Sequence, residues 1–402
     1  MLKELNFAKH SIGDLRVGLK EIFRDELFDR SRGLLKKAIE MSVLKEFEEY
    51  IEVRRYRHSQ RRKDWRNGYR RRGLLSTWGA IEEIRVPRSR RGEFRPRTFE
   101  RYKRVQGSVN DGILKMFLMG ISTRKVADVL QALFGYTLSA GYVSKLAKRL
   151  NDEVRRFFDR PLTDDFVYLF LDGIVVKVRD VSRSVKRTIF VAYGIRKNGS
   201  RELINFRIGK SEGKGAWGSF LENLRVRGLR GSNLKLIISD GSQGLWSAAR
   251  EIYPFVDHQL CWVHKLRNVA NKCPKRYLEE CIRGARQIYL SPTIKIAMRV
   301  FRGWERTWRE RVPQAVACLA RDIDKLLQFL KCPPEHHRII RTTNIIERLF
   351  REMRRRLKVM GTFPNIASAK RMTFGLFTYY NTRWERPGNL IKQIAITQKE
   401  AA

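Results

Sequence analysis

The sequence predicts a mixed α/β chain: a basic, mainly helical N-terminal region, then an α/β core interrupted by a helical insertion. Three observations carry this. Strand-like apolar runs twice carry an acid, with Asp172 inside FVYLFLDGIVVKV and Asp240 closing the run in LKLIISDGSQG. Apolar residues recur at three- and four-residue steps before residue 55 and again after residue 273, which is helical spacing. Finally, 84 Lys+Arg stand against 42 Asp+Glu, a net charge of +42, while hydrophobic residues still make up 43% of 402 positions. That balance describes a chain with real cores and a polyanionic partner, and excludes a disordered basic tail.

No apolar run has the length of a membrane span, and the start MLKELNFAKHSIGDL lacks the apolar core of a secretory signal, so no membrane partner is expected and the expected location is cytoplasm or nucleoid. Five cysteines, an odd number without paired zinc-ribbon spacing, read as reduced thiols.

Residues 1–55 read as an amphipathic helical region for packing or dimerisation. Residues 56–108 form a basic segment: RRYRHSQRRKDWRNGYRRRG is followed by strand-like LLSTWGAIEEIRVPRSRRGEF. Between positions 51 and 100 there are 16 Lys+Arg and six acids, with Trp65, Tyr69 and Trp78 among them, a mixture that favours nucleic acid over a merely solvated surface. Arg66, Arg70 and Arg71 are the expected contacts there. Residues 109–160 read as short helices, with Ser122 and Ser139 as N-caps and Gly120 and Gly135 as terminators. The pattern fits a helix-turn-helix presenting Ser144, Lys145, Lys148 and Arg149 to DNA, and equally an ordinary helical bundle.

The core is expected over 161–272 and 336–402, with the helical insertion at 273–335. FVYLFLDGIVVKV, TIFVAYGI and LINFRIGK read as three meandering strands, AWGSFLENLRVRG as a helix, LKLIISD as a parallel strand and QGLWSAAREIY as a second helix. That order is ribonuclease H-like.

A third acid, Glu347, lies in the arginine-rich helical stretch RTTNIIERLFREMRRR. Three carboxylates in a strongly basic chain suggest a divalent-metal site acting on phosphodiesters, because two Mg²⁺ ions roughly 3.5–4 Å apart are held by hard oxygen ligands. The acids are separated by 68 and 107 residues, room for three strands and a helix and then for the insertion. Glu352 is a rival five residues on, about 500° of helical turn away, so only one of the two can face the strand acids. Asp180 and Asp257 are weaker rivals in turns.

These residues carry a resemblance. GYRRRGLLSTWGAIEEIRVPRSRRGEF, GISTRKVADVL, LSAGYVSKLAKRL, RPL, YLFLDGIVVKVR, WGSFLENLRVRGLRG, LIISDGSQGL, HQLCWVHKLRNV and TTNIIERLFREMRRRLKVMGTFPN make the chain similar to bacterial insertion-sequence transposases of the Mutator type. The resemblance implies a ribonuclease H-like core with a helical insertion before the glutamate. It also implies a DDE triad on Asp172, Asp240 and Glu347, which favours Glu347 over Glu352. It further implies Mg²⁺ (Mn²⁺ as a substitute), with strand cleavage and transfer at inverted element ends. Double-stranded DNA, both element ends and target, and a second copy of the chain are the expected partners, with no small-molecule substrate.

The family's Cys-x-x-His pair corresponds to Cys261 and His264. The pair reads either as half of a zinc site or as a structural contact beneath the active site; packing is the expectation, since Cys273 and Cys281 do not complete a ligand set. Lys265, Arg267 and Asn268 are expected to reach DNA, as are some of the arginines after Glu347, Arg348 and Arg351 first. Other classes remain at this stage: a structure-selective nuclease or resolvase with the same core, and a domesticated DNA-binding protein without activity.

Overall fold

A computed structural model of the chain describes residues 12–98, 104–118, 121–134, 136, 138–180 and 183–385. Gly120 and Gly135, expected to end helices, lie outside the described residues, as does the stretch from 386 onward. The chain divides into two compact units, residues 1–117 with 121–147, and residues 118–120 with 148–402.

The first unit begins with the long helix α1 (Ile12–Ile51). A hairpin follows, β1 (Arg66–Ser76) and β2 (Gly79–Ser89), antiparallel around Thr77–Trp78. Val43, Phe47 and Ile51 of α1 pack on Ile81, Ile84 and Val86 of β2, joined by Phe94. The arginine-rich run from Arg66 to Arg72 is therefore itself a strand, mostly exposed, a reading that arginine composition hid. Then come α2 (Gly107–Leu118), α3 (Thr123–Phe134) and α4 (Ala140–Lys148), sharing a core of Val109, Ile113, Val126, Leu130, Val143 and Leu146. Both expected N-caps are present: Ser122 Oγ accepts from Lys125 N at 3.3 Å and Ser139 Oγ from Tyr142 N at 3.1 Å.

The expected 109–160 segment is split, because α5 (Leu150–Asp159) belongs to the second unit. Phe157 and Phe158 of α5 pack against Phe206, and Phe157 against Phe374 and Phe377 as well. The sheet of this unit contains β3 (Phe166–Asp180), β4 (Arg183–Arg196), β5 (Arg201–Gly209), β6 (Leu236–Ser239) and β7 (Asp257–Leu260) in the order β5-β4-β3-β6-β7. The β3–β4–β5 pairs are antiparallel; β6 and β7 run parallel with β3. Between β5 and β6 lies α6 (Lys214–Val226), and between β6 and β7 lies α7 (Gln243–Ile252). Leu169 and Leu171 of β3 join Trp217, Phe220, Leu245 and Ala248 in one core layer. Seven consecutive residues of β3 from Phe166 to Asp172 are buried, as expected of a strand covered on both faces.

Helices α8 (Trp262–Ala270), α9 (Lys275–Leu290), α10 (Ile294–Trp308), α11 (Pro313–Ala320) and α12 (Ile323–Leu326) follow, so the stretch expected as an insertion is helical. Gly284 of α9 makes room for the indole of Trp304, whose Nε1 donates to Cys281 O at 2.8 Å. Short α13 (His337–Ile340) leads to α14 (Asn344–Met360), which contacts β3, and α15 (Ile366–Trp384), which contacts β5. The link between these last two is stitched to the far end of β3: Phe363 N donates to Lys177 O at 2.9 Å and Arg179 N to Phe363 O at 2.8 Å. That tie holds the start of α15 and the end of α14 to the strand that carries Asp172.

Candidate active site

Leu171 of β3 pairs with Ser239 of β6, so Asp172 and Asp240 are the next residues on two neighbouring parallel strands. Alternation along β3 puts Asp172 on the face of Tyr168 and Phe170, away from the layer that Leu169 and Leu171 join. It is 8% exposed, and its Oδ1 accepts from its neighbour's amide, Gly173 N, at 2.7 Å. Burial, then the charge of Asp240, pushes its carboxyl up to about 7. Asp240 sits in the turn before α7, where its Oδ1 accepts from Ser242 N at 3.1 Å. Glu347 lies in the first turn of α14, and its Oε1 is buried with no hydrogen-bond donor among the described residues. Its charge and that of His264 both reach Asp172. The three acids predicted from sequence are thus brought together, from the middle of β3, the residue after β6 and the first turn of α14.

Glu352 is not part of this group; its carboxylate pairs with Arg355 at 2.9 Å. Asp180 pairs with Arg187 at 2.7 Å and Asp257 with Lys331 at 2.9 Å.

Cys261 and His264 lie behind Glu347. The three side chains place ligand-type atoms within 4.8 Å of one another, and His264 Nε2 is 3.6 Å from Glu347 Oε1. Thr343 completes the cluster: its N and Oγ1 donate to Cys261 Sγ at 3.3 and 3.2 Å, and its Oγ1 is 3.5 Å from His264 Nδ1. Burial alone would raise the Cys261 thiol, but hydrogen bonds from His264 and Thr343 lower it. The imidazole is drawn up to about 9, first by its hydrogen bond with Cys261 and then, against desolvation, by the charges of Cys261, Glu347 and Asp172. At neutral pH His264 is therefore a cation facing Glu347.

Two openings flank the acids. One, of about 370 Å³, is lined by Asp240, Trp246, Asn268 and Lys325. The other, of about 410 Å³, is edged by Arg338, Arg341 and Arg348, with Arg341 stacked 4.7 Å over the ring of Tyr289. Among the described residues, none of these three arginines is paired with a carboxylate. The acids thus have unpaired arginines on one side, which suits a phosphate backbone, while Lys265, Arg321 and Lys325 on the other share Asp322.

Comparison with known proteins decides the family. The sequence matches the description "Transposase, Mutator family" over residues 10–387. This chain belongs to the Mutator family of transposases. It is 33% identical over 359 residues to the transposase for insertion sequence element IS256 in transposon Tn4001 of Staphylococcus aureus, covering 89% of this chain and 91% of that protein. It is 31% identical over 356 residues to the transposase for insertion sequence element ISRM5 of Rhizobium meliloti (strain 1021), covering 89% of each. Among solved structures, the Drosophila P element transposase strand transfer complex aligns with a TM-score of 0.28 at 14% identity, over 73% of this chain and 85% of that one, too distant to bear on the fold.

For this Mutator transposase the expected DNA contacts fare unevenly. Arg70, Lys145, Lys148, Arg149, Arg267, Arg348 and Arg351 are exposed. Arg71 is exposed but paired across the hairpin with Glu83 at 2.5 Å. Two expectations are corrected. Lys265 does not reach outward: it is 6% exposed, ion-paired with Asp322, and donates to Cys318 O at 3.1 Å. Its i, i+3, i+7 spacing with Trp262 and Val269, all buried on one stripe of α8, was the available signal. Arg66 is half-buried, 3.1 Å from Glu48 and 5.3 Å over the ring of Phe47, where it fastens the hairpin to α1.

Sequence reasoning also passed over two neighbours of the site. Thr343 is one, although the TTN block contains it. The other is Glu212, in the loop between β5 and α6, whose carboxyl is pushed up by burial and then by the charge of Asp240. A polar loop offers no periodicity by which to single it out.

Among the described residues no helix is long and apolar enough to cross a membrane.

Proposed function

We propose that Asp172, Asp240 and Glu347 are the DDE triad of this transposase, and that they hold Mg²⁺, with Mn²⁺ as a substitute, for cleavage and strand transfer at the ends of its own insertion sequence. The observation that carries the proposal is the meeting of the three carboxylates, drawn from β3, the end of β6 and the first turn of α14. The strand order β5-β4-β3-β6-β7, antiparallel in its first three strands and parallel in the rest, supports a ribonuclease H-like core interrupted by the helices from α9 to α12. The donor set fits a hard divalent cation: all-oxygen ligands, among them a strand acid that burial and a like charge keep from ionising freely. Bound there, Mg²⁺ supplies neutralisation of the scissile phosphate and makes the attacking oxygen easier to ionise.

The chain's own residues do the rest. Asp172 and Asp240 fix one side of the site because their strands are hydrogen-bonded in register. His264 orients Glu347 from behind, and Cys261 and Thr343 orient His264. The exposed Arg348 and Arg351, with Arg267, hold phosphates beside the acids. Arg70, Arg71 and Lys145 of the first unit, with Lys148 and Arg149 at the start of the second, hold double-stranded DNA at element ends, with α3 and α4 as the helix-turn-helix. A second copy of the chain pairs the two ends.

The test is direct. Asp172→Asn, Asp240→Asn and Glu347→Gln each abolish cleavage and transfer of an end substrate while retaining end binding in a mobility-shift assay. Glu352→Gln remains active. An active variant at any of the three positions removes that residue from the triad.

A further inference from the structure

The recess edged by Arg338, Arg341 and Arg348 has an apolar back wall, made by the buried Trp262 and the half-buried Leu266 of α8 with Ile339 of α13. Trp262 Nε1 donates to Leu326 O at 2.7 Å, which fixes the indole in place. The recess measures about 410 Å³, inside the range of about 300–1,000 Å³ typical of small-molecule sites. In a base-paired duplex the faces of the bases are stacked on one another, and a protein meets only their edges and the phosphates. Arginines at a rim suit those phosphates, but an apolar wall behind them has nothing to take from paired DNA. An unpaired nucleotide offers both parts, a phosphate for the rim and the flat face of a base for the wall.

Arg341 points the same way independently. Its guanidinium is half-buried, 4.7 Å over the ring of Tyr289, and has no carboxylate partner among the described residues. A charge withdrawn from water without a counter-charge destabilises the fold, and an incoming phosphate offsets that penalty. The recess also adjoins the acids. Asn344 and Arg348, which both line it, stand one turn apart on α14, and Glu347 lies between them in the chain.

Resting on the reading of the acids as the cleavage site, we infer that this recess receives one nucleotide unpaired from the element end beside the cleaved phosphate. Its base lies against Trp262 and Leu266, and its phosphate is held by Arg341 and Arg348. The contacts offset the loss of pairing and stacking, and hold the strand open at the acids.

The experiment uses full-length protein and end duplexes that are fully paired, mismatched at either nucleotide flanking the cleaved phosphate, or abasic there. Arg341→Gln removes the half-buried charge, and Leu266→Trp fills the recess. Both variants are expected to bind paired ends within about threefold of wild type and to cleave them about tenfold more slowly or worse, because unpairing is no longer offset. At one of the two positions a mismatch should bring Arg341→Gln to within about threefold of wild type, and an abasic nucleotide should do the same for Leu266→Trp, a rescue that a structural defect does not allow. 5-Iodouracil at that nucleotide, irradiated in the wild-type complex, should crosslink to the segment that holds Tyr289. Equal deficits on all substrates, or no crosslink within residues 262–348 from either flanking nucleotide, overturn the inference and leave the arginines a grip on the backbone alone. Should Leu266→Trp melt early, Arg341→Gln and the wild-type crosslink decide. Asp172→Asn keeps this test apart from the triad: it should crosslink as wild type does while cutting nothing. An Asp172→Asn protein that cuts overturns the triad, and the crosslink then judges the recess by itself.

Discussion

Asp172 shows how a site for chemistry is costly to its own fold. Its folded carboxyl is raised from 3.8 to about 7, so the stability it contributes is present below the lower value and lost as pH rises through the higher. Asp172→Asn does not ionise, and Asn Oδ1 can still accept from Gly173 N. In chelator, the unfolding free energy of Asp172→Asn should therefore pull ahead of wild type between pH 4 and pH 7 and stay ahead above that, by on the order of 4 kcal/mol. Saturating Mg²⁺ should close the gap from the wild-type side. His264 feels the charge of Asp172, so the difference between the two proteins reports the pair rather than Asp172 alone; a gap that does not change with pH would refute the assignment. Lys265 makes the opposite case. Lys265→Ala leaves Asp322 partly buried beside only the longer contacts to Arg321 and Lys325, at 3.7 and 3.5 Å. A loss of about 3 kcal/mol in stability is expected, with unchanged end binding per folded molecule. A weakened affinity without a fall in melting temperature would instead restore the outward-facing reading.

At the scale of elements, what was legible followed periodicity. The long runs of β3, β4 and β5 and the capped helices α3 and α4 could be read because their patterns are strong and their ends carry serine caps. Strand β7 could not: DHQL is four residues long, with no β-branched side chain, and it earns its place by pairing with β6. Nor could the start of β1, whose arginines disguise an exposed strand. The three acids proposed as the triad were legible because each interrupts or follows an apolar run, whereas Glu212 lies in a polar loop without periodicity. The exposed basic residues of α4 and of the turn after it give the element-level prediction. Substituting Lys145, Lys148 or Arg149 by alanine should lower the salt dependence of end binding by about one unit of log–log slope each, while leaving cleavage of bound substrate unaffected. Slopes unchanged in all three variants would make α3 and α4 an ordinary bundle.

For the whole molecule, net charge and metal chemistry separate cleanly. A chain of +42 should bind any duplex at low salt and discriminate element ends only as salt rises. Zinc bears on the cluster behind Glu347. With Cys261 held by Thr343 and His264 held by Glu347, the purified protein should contain no stoichiometric zinc, and a zinc-selective chelator should leave its melting temperature unmoved, while activity still needs Mg²⁺ or Mn²⁺. Bound zinc that is lost in Cys261→Ser would make the pair a metal clip.

The stitch between Phe363 and the far end of β3 also orders events in time. Asp172 and Glu347 are 175 residues apart in the chain, and Phe363 emerges later still. At roughly 5–20 residues per second of synthesis, about 10–35 s pass between the first acid and the last. Throughout that interval the basic N-terminal unit is already outside the ribosome, able to collect on nearby DNA, while the acids remain two in number and β3 lacks its final partner. On the proposed function, a growing chain thus carries its charge for DNA before its three acids can meet.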